Sequence, residues 1–281
     1  MITPLQAVIL GIIEGITEFL PISSTGHLIL AGEWLGIQGE SAKAFEVIIQ
    51  AGALLAVLGL YRNRIWEMWR GVIAKNAAGR RLLVNLLISF LPAAAAGLLF
   101  HGWIKEHLFH RGAVTGALAI GGILMIVVAR FFPPHPFDFA QGRPALSPKK
   151  NGTGSLFSMT SSQAFLIGLA QVLSLWPGTS RAMVTLVAAI LLGFPVAAAA
   201  EYSFLLALPT LGAAALFDFV KNYSVLFQQI APLSFGIGLV TSAVVAAIAI
   251  CSFVHYLTRH SLALFGWYRI ILAVLVWSFV R

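Results

Sequence analysis

Six apolar runs dominate the chain, near residues 43–61, 82–102, 112–132, 198–217, 230–251 and 262–280. Each approaches the roughly 20 residues with which a helix crosses the hydrocarbon core of a bilayer. The composition agrees: 59% of the 281 residues are hydrophobic, 10% are charged and the mean hydropathy is +0.91, well outside the usual range of soluble domains. The expected fold class is an all-α polytopic membrane protein with six crossings.

Two further apolar regions are each split by a polar, proline-bearing tip, 5–20 from 24–37 and 162–176 from 180–194. Their arms are too short for comfortable spans, so each region is expected to form a re-entrant helical hairpin. The two also resemble each other. "GIIEGITEFLPISSTGHL" lies over "GLAQVLSLWPGTSRAMVTL" with Gly11 on Gly168 and Glu14 on Gln171; after a one-residue slip Pro21 meets Pro177 and Ser24 meets Ser180. One hairpin plus three crossings per copy inverts the second copy, which predicts an inverted-topology repeat with both tips meeting inside the membrane. The expected organisation is a first repeat over 1–132, a polar cytoplasmic linker over 133–160 and a second repeat over 161–281. The linker reads as mobile and dispensable.

The net charge of +8 does not imply nucleic acid, because the basic residues form no stripe with interleaved aromatics. They sort by loop. Arg62, Arg64, Arg70, Lys75, Arg80 and Arg81 follow one run, and Arg143, Lys149 and Lys150 follow another, which places the segments at 62–81 and 133–160 in the cytoplasm. The segments at 103–111 and 218–229 then fall outside. Cys251, the one cysteine, sits in an apolar run and reads as packing, and the start of the chain lacks the marks of a cleaved signal.

The polar residues at the tips carry the chemistry. Glu14 and Glu18 lie four apart, on one helix face, where a divalent cation, a nearby Arg or protonation must offset two buried carboxylates. Pro21 ends the first arm, and Ser23, Ser24 or Thr25 can cap the second, whose free amides form an anion site. Gly26 would let a ligand approach the backbone, and His27, three residues after Ser24, could share a proton with its hydroxyl. The second tip repeats the break with Pro177, Gly178, Thr179 and Ser180 and adds Arg181 at the helix start. An anion between Arg181 and the helix dipole would explain it, and so would a pairing of Arg181 with Glu18 alone. Thr185, one turn on, is either a donor or a core threonine. Glu46, Gln50 and Asp218 could line the cavity, with a structural role slightly favoured. Together the tips suit metal-assisted phosphoryl transfer to water, with Glu14 and Glu18 on the metal. Ser24 is the weakly favoured nucleophile with His27 as base, and the opposite assignment stays open.

The stretches "EGITEFLPISSTGH" and "PGTSR" ending in Thr185 resemble those of the undecaprenyl-pyrophosphate phosphatase family, integral-membrane enzymes linked to bacitracin resistance. The likeness covers the chain outside about 133–160. It implies hydrolysis of a C55 polyprenyl pyrophosphate to the monophosphate and inorganic phosphate, recycling the cell-wall lipid carrier. It also places Glu14, Glu18, Ser24, His27, Ser180, Arg181 and Thr185 at the family's functional positions. A divalent cation, Mg or Ca, the bacterial inner membrane and a site opening to the periplasmic face are expected with it. A homodimer stays open. Where the family pattern usually runs S-G-x-T after the arginine, this chain has Ala182 and Met183. The rival reading is a secondary transporter or flippase for an anionic lipid or small anion. It is weakened because Glu14 and Glu18 face Gln171 and Leu175 in the second copy.

Overall fold

The computed structural model describes residues 2–37, 39–74, 76–108, 110–132 and 156–279. Among these the chain is all-helical, without strands. The helices are α1 (Pro4–Thr17), α2 (Ser24–Leu35), α3 (Glu40–Leu60), α4 (Arg62–Ile73), α5 (Ala77–His107), α6 (Arg111–Phe131), α7 (Ser161–Val172), α8 (Arg181–Leu191), α9 (Val196–Gln229), α10 (Pro232–Leu257) and α11 (Ala263–Phe279).

Helices α5, α6, α9 and α10 each contain a segment long and apolar enough to cross a membrane. A fifth crossing is reached if α3 and α4, bent by 75° at their junction, count as one. Helices α1, α7, α8 and α11 are shorter apolar helices. Leucines such as Leu98, Leu99 and Leu216 lie exposed on the outside of the bundle, as hydrocarbon-facing side chains must. The chain is a multi-pass membrane protein.

Several helices begin where a side chain satisfies a free amide. Thr3 and Gln6 close a capping box at the start of α1, and Thr160 and Gln163 close the same box at α7. At the two breaks Ser23 caps α2 by accepting from the Gly26 amide, and Ser180 caps α8 by accepting from the Met183 amide. Both serines sit at positive φ, 73° and 70°, the only described non-glycine residues to do so. This pairs Ser23 with Ser180 in one backbone conformation. The expected match of Ser24 with Ser180 is therefore corrected, since Thr3/Thr160, Glu14/Gln171 and Ser23/Ser180 all keep one spacing without a slip.

The hairpins exchange seats. Helix α1 packs on α10 and α7 on α5, while α3 and α9 pack together, as do α6 and α11. Small residues permit the close crossings. A Cβ at Gly15 would lie 2.8 Å from the Ser242 carbonyl, and one at Gly168 would lie 2.6 Å from that of Ser89. Hydroxyls and amides tie the bundle: Ser242 of α10 donates to the Ile49 carbonyl of α3 (2.6 Å), Ser89 to that of Ala164 (2.6 Å), Ser234 to that of Ile2 (2.8 Å) and Asn85 to that of Met159 (2.8 Å).

Two expectations, for the segment 62–81 and for Cys251, need correction. The segment 62–81 is not a plain loop, because α4 occupies Arg62–Ile73, with Trp66 and Trp69 exposed and Arg64 bonded to Glu201 of α9 (2.6 Å). The segments 103–111 and 218–229 are largely helical, since α5 continues to His107 and α9 to Gln229. Cys251 is exposed on α10 rather than packed. Most of the 133–160 linker, with Arg143, Lys149 and Lys150, lies outside the described residues.

Candidate active site

The two tips meet through an ion pair. Arg181, the first residue of α8, places Nη2 3.1 Å from Glu18 Oε1 just past the end of α1. Its Nη1 donates to the Ser203 carbonyl of α9 at 2.8 Å, and its guanidinium carbon stands 5.7 Å from the Phe19 ring centre. The other Glu18 oxygen, Oε2, accepts from the Ser24 hydroxyl at 2.7 Å. One carboxylate therefore joins a hydroxyl of the first tip to the cation of the second.

Two neighbouring atoms lack partners. Glu14, one turn before Glu18 and 2% exposed, has its Oε2 buried without a hydrogen bond, and so has Arg181 its Nε. A buried polar atom left unpaired costs free energy on the order of 1–3 kcal/mol, more for a charged group. Glu14 and Arg181 thus retain binding capacity for an absent ligand, an acceptor on one side and a donor on the other. Among the described residues no cluster of three His, Cys, Asp or Glu side chains forms a complete metal site. The donor set fits a hard cation that draws further oxygens from a bound phosphate, as Mg commonly does.

His27 faces another way. Its Nδ1–H donates to the Ser23 carbonyl (2.7 Å), so in the neutral ring Nε2 accepts from the Tyr268 hydroxyl (2.7 Å). The two rings stack with centres 5.6 Å apart and planes 9° from parallel. The expected proton sharing between Ser24 and His27 is replaced by Ser24 with Glu18 and His27 with Tyr268.

The remaining expected residues sort by burial. Thr185 is fully buried, donating to the Arg181 carbonyl (2.9 Å) and sharing a hydrogen bond with Ser203 Oγ (2.7 Å), so it braces the turn that carries the arginine. Ser23 and Ser180 cap their helices, with Thr25 and Thr179 half-buried beside them. Gly26 does not offer its backbone to a ligand: its amide serves Ser23, and a Cβ there would meet Leu118 and Leu272 at 3.3 and 3.4 Å. Glu46 is exposed. The methyl of Met183 comes within 2.9 Å of where a Gly121 Cβ would stand, so a glycine of α6 makes room for the larger side chain of the second motif.

Helix α11 supplies what the tip motifs did not reveal. Tyr268 reaches His27, and Arg269, fully buried, hydrogen-bonds backbone carbonyls of both tips and of α6. The signal was present as an arginine in the middle of the final apolar run, and ionisable residues inside a membrane segment mark function by default.

Comparison with known proteins accords with this geometry. The sequence pattern of the family described as bacitracin resistance protein BacA matches residues 7–275. An undecaprenyl-diphosphatase of Sorangium cellulosum is 48% identical over 274 residues, covering 96% of this chain and 84% of that protein. The undecaprenyl-diphosphatase of Desulfovibrio desulfuricans is 43% identical with 98% of both chains covered, and undecaprenyl-diphosphatase 2 of Shewanella oneidensis is 39% identical with 98% of this chain and 97% of that protein covered. A family pattern spanning nearly the whole length, together with relatives this similar from end to end, places the chain in the bacitracin resistance protein BacA family.

Proposed function

We propose that this protein is a membrane phosphatase that hydrolyses undecaprenyl pyrophosphate to undecaprenyl phosphate and inorganic phosphate. The observation that carries the reading is the Glu18–Arg181 pair, flanked by the unpartnered Glu14 Oε2 and Arg181 Nε. A pyrophosphate entering there gives Arg181 phosphate oxygens that fit its planar fork. Glu14 and Glu18 would hold a divalent cation, Mg or Ca, which when bound would neutralise phosphate charge and polarise the phosphoryl group.

In this reading Ser24 is the nucleophile and Glu18 its base, because the Ser24 proton already points at Glu18 Oε2. Attack of Ser24 Oγ on the terminal phosphorus passes that proton to Glu18 and breaks the anhydride bond, whose electron pair leaves with the prenyl phosphate. Water then attacks the phosphorus and the P–Oγ bond breaks with its electron pair on Ser24, which takes its proton back from Glu18, while the water's oxygen leaves on inorganic phosphate and its released proton passes to solvent. His27 and Tyr268 hold a proton at the more exposed side of the site.

The topology belongs to the same proposal. The exchanged hairpin seats and the matched positive-φ serines support two inverted repeats, 1–132 and 161–281, each with a re-entrant hairpin and three crossings. The host would be the bacterial plasma membrane, with the site opening to the outer face. The decisive experiment is phosphate release from a long-chain prenyl pyrophosphate by the purified protein, with and without divalent cation. No release under any cation would overturn the phosphatase, and movement of labelled lipid across proteoliposomes in its place would favour a flippase.

A further inference from the structure

We propose that Arg269 is a positioning residue that locks the two tips in the register apposing Glu18 and Ser24 to Arg181; its kinetic arm rests on the phosphatase reading. The side chain is fully buried at the crossing of α11 with α6. Its Nη1 donates to the Pro21 carbonyl (3.3 Å) of the first tip and its Nη2 to the Gly178 carbonyl (2.9 Å) of the second. Nη2 and Nε reach the carbonyls of Ala117 (3.0 Å) and Leu118 (3.4 Å) on α6.

Pro21 stands two residues before Ser23, and Gly178 two before Ser180, so Arg269 grips the corresponding carbonyl of each break. A single cation thereby ties the two tips to each other and to a membrane helix. Among the described residues no ion pair joins Arg269 to a carboxylate, so these carbonyl dipoles are what offset its burial. Stability alone is a poor reason to keep a guanidinium there, since burying a charge is costly unless it is paired and fully hydrogen-bonded.

The surroundings are cut to admit it. A Cβ at Gly121 would collide with Arg269 Nη2 and stand 2.9 Å from its Cζ. Gly122 and Gly266 let α6 and α11 cross closely, each meeting the other's carbonyl at 2.7 Å from an added Cβ. Four acceptors in different directions require the five-donor fork of arginine, and lysine offers a single point charge.

The test uses the full chain in lipid nanodiscs with Arg269→Lys, Arg269→Gln and Gly121→Ala, the last crowding the guanidinium without removing it. Backbone hydrogen exchange is read by mass spectrometry beside steady-state hydrolysis. Expected is exchange roughly tenfold faster in peptides covering 18–26 and 176–183 with the other helices unchanged. The turnover number should fall about 100-fold, as for an ångström-scale misplacement, with KM held within about threefold. Unchanged exchange at the tips, uniformly faster exchange in every helix, or wild-type turnover in Arg269→Lys would each overturn the proposal. A wild-type protein that releases no phosphate would instead sink the phosphatase reading, and the exchange measurement alone would then decide the clamp.

Discussion

Ser24 and Arg181 divide one carboxylate between them: the serine hydroxyl lies 2.7 Å from Glu18 Oε2 and the guanidinium 3.1 Å from Glu18 Oε1. Glu18→Gln should therefore fail twice. It removes the proposed base, which should cost about 10²–10⁴ in rate, and strands a buried cation, costing about 3–5 kcal/mol of stability. Phosphate release and thermal unfolding in detergent read the two losses separately. Ser24→Ala should lose the rate while lowering the melting temperature less than Glu18→Gln does, because it leaves one Glu18 oxygen unbonded but keeps the ion pair.

Glu14→Gln separates these effects in the opposite sense. Glu14 Oε2 has no partner to lose, so the variant should melt at or above the wild-type temperature yet hydrolyse slowly. Chelation should silence the wild type as well. Full turnover at saturating cation in both glutamine variants would remove the metal from the mechanism.

Tyr268→Phe tests the imidazole. The ring stack survives and the bond to His27 Nε2 does not. Loss of one neutral hydrogen bond, about 0.5–1.5 kcal/mol, should slow turnover by roughly twofold to tenfold. His27→Ala should cost far more if His27 moves a proton during turnover. Equal effects would reduce the histidine to a support for the tyrosine.

The hairpin seats predict a contrast between glycines. Gly15→Ala drives a methyl to 2.8 Å from both the Ser242 carbonyl and Val245 Cβ, whereas Gly116 has open space. Overpacking should cost about 1–3 kcal/mol at Gly15, and Gly116→Ala should be neutral or slightly stabilising in a helix. Unfolding of both variants in one detergent settles the comparison.

Orientation can be read with thiols. After Cys251→Ala, single cysteines replacing Asn76 and Ser224 should show labelling by an impermeant reagent in intact cells at 224 and not at 76. The reverse pattern would invert the proposed topology.

Much of this architecture is legible in the chain because Pro21 and Pro177 break apolar runs where polar residues gather, and because Glu18, Ser24 and Arg181 stand beside those breaks. Helix α4 was hidden since Arg62, Arg64 and Arg70 dominate a charge count, while its Trp66, Met68 and Trp69 pattern emerges only once the segment is treated as a helix of its own. Which serine caps the first tip depends on a backbone torsion, a property that hydroxyl identity does not encode; hence the slip between Ser23 and Ser24. The pairing of His27 with Tyr268 joins residues 241 apart in the chain, beyond any local spacing rule.

The exchanged seats of the hairpins also set an order on biogenesis. Helix α1, with Glu14 and with Glu18 just past its end, leaves the ribosome long before the helix it rests on, α10, and before the helix bearing Tyr268 and Arg269, α11. A nascent chain therefore holds α1 without its seat on α10 while every helix between them is made. Insertion must leave the first tip waiting, and the contacts of Arg269 to both tips form only when α11 enters the membrane.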